Sequence, residues 1–169
     1  NIQNNGKLKD GFNLDIYNNS NGELKFVPGA LDGINYYHSK METDEELVNY
    51  IVEKFKEVNG ENIEETANQI VEYFNNSEKR VLATIDNILE WIIENKDVID
   101  FNSVFRLALY LVIESTSIEA LKIAIGIIGL IDLSNEKELI DVLIRLALYD
   151  EFTLYAMVAL GNLENANDI

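Results

Sequence analysis

From Thr43 onward, apolar residues recur at intervals of three and four: Leu47, Ile51, Phe55 and Val58 share one face until Gly60 stops the run. Thr43 with Glu46 three residues on has the form of a capping box. Ile63, Ala67, Ile70, Val71 and Phe74 predict a second helix over 62–74. Val81, Leu82, Ile85, Ile88, Leu89 and Ile92 predict a third, for which Ser77 is the N-cap candidate. Helices over 102–114, 117–131, 135–149 and 151–163 follow, with Ser117, Ser134 and Asp150 as caps. Before residue 41 the period is two. Phe12, Leu14 and Ile16, then Leu24 and Phe26, alternate with polar residues around a turn at 18–22, which is a β-hairpin signature. A turn at 27–33 follows, where Pro28 presets φ and Gly29 and Gly33 release it. The expectation is one mainly α domain over 1–169: a hairpin and turn segment over 1–40, then seven helices over 41–169.

Internal repetition sharpens this. Arg106-Leu107-Ala108-Leu109-Tyr110 returns as Arg145-Leu146-Ala147-Leu148-Tyr149, 39 residues later. Glu119, Ala124 and Gly129 are matched by Glu151, Ala156 and Gly161 at a constant offset of 32. A period near 40 is that of helical-hairpin solenoids. Asp150-Glu151 leads through Ala156 to Leu160-Gly161-Asn162-Leu163, and at these residues the chain resembles HEAT-like repeat proteins. The resemblance covers 101–163 well and 61–95 by helix length and spacing alone. It implies a short HEAT-like α-solenoid, and it speaks to fold far more than to activity. An N-terminal hairpin is not part of that pattern, and Pro is absent from the helix starts where such repeats often carry it.

Composition narrows the function classes. In 169 residues there are 13 Lys and Arg against 30 Asp and Glu, a net charge of −17, which repels phosphate backbones and anionic lipid headgroups. Neither nucleic acid nor a membrane surface is an expected partner. One His (His38) and no Cys leave little for a metal site, a Cys/His dyad or a catalytic triad, so no metal and no cofactor are expected. The most apolar stretch, 123–131, is half the length of a bilayer span and reads as a buried helix segment. No secretion signal is visible, so the expected compartment is the cytoplasm. The abundance of Asn and Ile matches the drift of an AT-rich bacterial genome.

The charge is unevenly placed. Residues 41–100 hold 16 acidic and 5 basic side chains, a net −11 of the total. Glu46, Glu53 and Glu57 line one face of the first helix, Glu61, Glu65 and Glu72 one face of the second, and Asp86, Glu90 and Glu94 one face of the third. Like charges at i, i+4 destabilise a helix slightly, so helix stability does not favour the arrangement. It reads either as a solvated face or as a surface that docks a basic partner, with Trp91 beside it as core-edge packing or as a partner contact. Helical placement opposite the apolar stripes keeps these carboxylates exposed, which suits acid/base catalysis poorly. No enzymatic activity is expected. Arg106 and Arg145 stand at equivalent repeat positions in largely apolar helices and read as structural, with Asp141 one turn before Arg145 as a partner; a ligand-binding role is the other option. Gly129 and Gly161 read as structural, and Gly126 and Gly129 as sites of close helix crossing or, at 129, a helix-end bend.

Among acidic single-domain bacterial proteins of this size, the chain is similar to the helical immunity proteins that neutralise toxin domains. That resemblance implies occlusion of a basic, nuclease-type toxin by the acidic stripes. A HEAT-like scaffold in a cellular complex is the alternative. A repeat-based DNA-repair enzyme is disfavoured, because its concave face must be basic.

Overall fold

The computed structural model describes residues 42–161 and 163. The hairpin expected within 12–26, the turn at 27–33 and His38 lie outside the described residues. Within them the protein is mainly helical, with seven α-helices and no strand: α1 Glu45–Glu57, α2 Ile63–Asn75, α3 Ile85–Asn95, α4 Phe101–Glu114, α5 Ile118–Ile128, α6 Lys137–Ala147 and α7 Asp150–Leu160.

A helix apolar on nearly every side must be surrounded, and α5 is: every one of its residues except Gly126 is buried, Glu119 and Lys122 included. It packs against α4 and α7 most extensively and also against α2 and α3. The α6–α7 pair joins the rest through α7, α1 packs on α2 and α3, and α2 packs on α4. One apolar core from Leu47 to Leu160 runs through all seven helices. Between α1 and α2 the rings of Tyr50 and Tyr73 stack with centroids 4.0 Å apart, and burial pushes both phenols above their ordinary pKa.

Several helix starts differ from expectation. The cap of α1 is Asp44, whose carboxylate accepts from Leu47 N at 3.1 Å. No Thr43–Glu46 box forms: Glu46 is drawn to Lys79, and the Thr43 hydroxyl donates to Asn87 Oδ1. Ser77 does not begin the third helix, which starts at Ile85 after a connection over 78–84. There the Val81 amide donates to the Glu119 carboxylate at 2.7 Å, a bond that holds this connection apart from a regular helical ladder. Ser117 caps α5 as expected, accepting from Ala120 N. Ser134 does not cap α6, because its amide and hydroxyl both turn back to Asp132 Oδ1. Asp150 is the first residue of α7, with Tyr149 at the cap position before it.

The offset of 32 is a structural equivalence. Glu119 and Glu151 are each the second residue of an 11-residue helix, Ala124 and Ala156 are buried at matching positions, and Gly129 and Gly161 are the two C-caps. The pentapeptide repeat is only partly equivalent. Its first copy lies inside α4, whereas the second runs off the end of α6, where Leu148 becomes the C-cap and is 78% exposed.

Gly129 does two jobs. It ends α5, and a Cβ placed on it would stand 2.9 Å from both Cα and Cβ of Ala159 on α7. Backbone cannot yield as a side-chain tip can, so Gly129→Ala is expected to push α5 and α7 apart and to cost about 1–3 kcal/mol in urea unfolding. At Gly126 the obstacles are methyl groups of Ile85 and Leu89 at 3.2 Å. These can shift, and Ala also gains helix propensity of about 1 kcal/mol, so Gly126→Ala should be close to neutral. Equal losses at the two positions would contradict this account of the α5–α7 crossing.

Candidate functional site

The carboxylates of the three acidic stripes are far from equivalent once the helices pack. On α1 each stripe residue is answered by a lysine: Glu46 by Lys79 at 2.9 Å, Glu53 by Lys56 at 2.7 Å and Glu57 by Lys54 at 3.0 Å. The near field of this stripe is therefore largely cancelled, although each exposed pair adds little stability. Glu65 and Glu72 of the second stripe lie on α2, whereas Glu61 stands in the turn before it and shares no helix face with them; all three are exposed and form no ion pair among the described residues, and Glu65 accepts only from the Gln69 amide. Asp86, Glu90 and Glu94 on α3 are likewise exposed without an ion pair among the described residues. Trp91 lies half-buried against the core, with Lys56 of α1 5.7 Å from its ring centroid. It occupies the edge of the core between α1 and α3.

Lys79 ties the α2–α3 connection to the start of α1, since its ammonium meets Asp44 at 2.6 Å as well as Glu46. That hydrogen bond, followed by the one from Leu47 N, holds the Asp44 carboxyl below its usual range. A carboxylate depressed in the folded state stabilises it above the unfolded value of 3.8 and loses that contribution as pH falls. Asp44→Ala removes both cap and ion pair, and is expected to cost about 1 kcal/mol at neutral pH. The gap between Asp44→Ala and wild type in thermal melts should close as the pH is taken below about 4, and a gap independent of pH would place the cost elsewhere.

A groove of about 300 Å³ opens between α3 and α7 over the end of α5. Leu82, Ile85, Asp86 and Leu89 line it on one side, Leu154, Tyr155, Val158 and Ala159 on the other, and Gly126, Gly129 and Leu130 form its floor. The two glycines shape it, because the missing side chains let α5 sit low between its neighbours. Asp86 thus belongs both to the acidic stripe and to the groove wall. Val158 at 66% and Ile93 at 55% are among the most exposed large apolar residues described.

Beneath the groove lies a charge cluster absent from the expected site residues. Lys122 of α5 is 1% exposed, and its ammonium stands 3.0 Å from Glu119 and 3.6 Å from Glu151, both of them buried. It also lies 5.3 Å from the ring centroid of Tyr155, a residue of the groove wall. Glu119 and Glu151 occupy the first turns of α5 and α7, where unpaired backbone N–H groups favour negative charge. The cluster joins α5, α7 and the 78–84 connection, the last through Val81 N. Burying these ions is costly without full pairing. The signal in the sequence was a Lys three residues after Glu119 at the head of an apolar run.

Arg106 and Arg145, expected to be the structural cations, are both exposed and neither forms an ion pair among the described residues. Arg145 does not close on Asp141, although both are exposed one turn apart on α6. Arg106 reaches across to the α1–α2 connection, its Nη1 3.4 Å from where a Gly60 Cβ would stand. Among the described residues no His, Cys, Asp or Glu side chains form a group of three that could hold a metal ion. No described helix is long and apolar enough to cross a membrane. No protein-family model, curated protein or solved structure matches the chain.

Proposed function

We propose that the protein is an acidic protein-binding module without catalytic activity of its own, an immunity protein that neutralises a basic, nuclease-type bacterial toxin domain by occlusion in the cytoplasm. The observation that carries the reading is the α3 stripe: Asp86, Glu90 and Glu94 stand exposed and without ion pairs among the described residues, beside an apolar groove. A stripe of unneutralised carboxylates attracts a cationic protein over about a Debye length and speeds productive encounter. Apolar surface beside it supplies what charge alone supplies poorly, a slow dissociation. Inhibition then needs no chemistry, since covering the basic substrate-binding face of a nuclease excludes its anionic substrate.

A HEAT-like scaffold in a cellular complex is the second reading. It is favoured by the matched Glu, Ala and Gly positions of α5 and α7, which agree with the resemblance to HEAT-like repeats. The two readings part on the partner. If the immunity reading holds, one equivalent of the protein abolishes the nuclease activity of the toxin domain encoded beside its gene. A neighbouring toxin domain that is neither bound nor inhibited removes the immunity reading and leaves the scaffold.

A further inference from the structure

We infer that the groove between α3 and α7 seats the apolar face of a basic amphipathic segment of the partner, an inference that rests on the acidic docking surface proposed above. Three observations carry it. The groove is lined by Leu89, Leu130, Leu154 and Val158, and Ile93 follows Leu89 one turn further along α3. Val158 in the groove wall and Ile93 beyond it are 66% and 55% exposed, so the apolar lining is open to a partner. The helices that build the groove carry one cation among them, Lys122, and it is buried with two glutamates. Asp86 lies in the groove wall, with Glu90 one turn further along α3.

The surface is therefore apolar at its centre and negative at its edge, with no exposed cation on α3, α5 or α7 to accept an acidic ligand. An occupant must bring apolar side chains on one face and positive charge on the flank, the arrangement of a Lys- or Arg-rich amphipathic helix laid in a groove. A second copy of this chain is a poor occupant, since each copy carries a net −17.

The test uses fluorescence anisotropy with labelled peptides of about five helical turns. One has Leu on one face and Lys on the other, one has the same residues shuffled so that no apolar face forms, one is Lys alone, and one replaces every Lys of the first by Glu. The Leu/Lys amphipathic peptide is expected to bind about tenfold or more tightly than the shuffled and Lys-only peptides, because only it buries apolar area while meeting the carboxylates. Val158→Lys, at an exposed position that leaves the circular dichroism spectrum and melting temperature unchanged, should erase that advantage. Asp86→Asn with Glu90→Gln should weaken all three cationic peptides alike. If the amphipathic and Lys-only peptides bind equally and Val158→Lys alters neither, the groove is not the seat, while the acidic docking surface stands. If the Glu/Leu peptide binds as well as the Leu/Lys one, charge has no role and the proposed function fails with the inference. Failure of every peptide to bind overturns both. A dimer that Val158→Lys converts to monomer assigns the groove to a second copy and overturns the inference alone.

Discussion

Lys122→Met is expected to lower the free energy of unfolding by about 3–5 kcal/mol, because it leaves two buried carboxylates without the cation between them. In the folded protein Glu119 and Glu151 approach one ammonium at 3.0 and 3.6 Å from two different helices. Methionine matches the volume of the lysine stem, so packing is roughly conserved and the loss reports charge. For a domain of this size the melting temperature should fall by about 6–20 °C. Removing the carboxylates' charge in the same background, with Glu119→Gln and Glu151→Gln, should recover most of the loss, since an uncharged cluster no longer needs the ammonium. The amide oxygen introduced by Glu119→Gln would still accept from Val81 N, which now bonds the Glu119 carboxylate at 2.7 Å. If Lys122→Met alone costs less than about 1 kcal/mol, water or a rearrangement reaches these carboxylates and the cluster does not lock α5 to α7.

The second large effect is kinetic. Asp86→Asn, Glu90→Gln and Glu94→Gln together should reduce the association rate with a basic partner by about tenfold at low salt, and flatten its dependence on ionic strength. The fold should be unaffected, as exposed surface changes stay within about 0.5 kcal/mol. A matched control changes the net charge by the same three units: Glu46→Gln, Glu53→Gln and Glu57→Gln on α1. Those carboxylates are paired with Lys79, Lys56 and Lys54, and their removal leaves three cations on a different face. If steering is local, the α3 triple slows association much more than the α1 triple. Equal slowing in stopped-flow measurements across a salt series would mean that net charge matters and the α3 stripe does not.

Helix number and the buried faces were legible in the chain because amphipathic spacing is a local property, set by 3.6 residues per turn. Leu47, Ile51 and Phe55, or Ile88 and Ile92, could be assigned to the core with no knowledge of what covers them, and all are buried. The Glu, Ala and Gly equivalence of α5 and α7 was legible for the same reason, since it is a spacing within each helix. Helix starts were less so. Asp44, Ser77 and Ser134 are all chemically able to cap, yet Asp44 alone of the three does so, with Lys79 on its second carboxylate oxygen, while Ser134 turns back to Asp132 and the helix after Ser77 begins only at Ile85.

Charge was the least legible feature of the chain, and the reason is physical. An ionised group's environment is decided in part by atoms far away in the chain, while its position on a helix gives only a direction and its neighbours one turn away. The three acidic stripes look alike in sequence, yet Lys79, 33 residues from Glu46, neutralises one end of the first stripe while the third keeps its full charge. Arg106 and Arg145 stand as cations among apolar residues, and both are exposed, Arg106 reaching to the α1–α2 connection. Lys122, whose place in the chain looks no different, is buried, because α5 is covered on every side and Glu151 arrives from α7 to meet it. The stripes, the turns of helix and the total of −17 follow from the residues themselves; which carboxylates remain free to meet a partner was decided only when α1, α3, α5 and α7 packed together, since Coulomb energies depend on distance and burial and not on order along the chain.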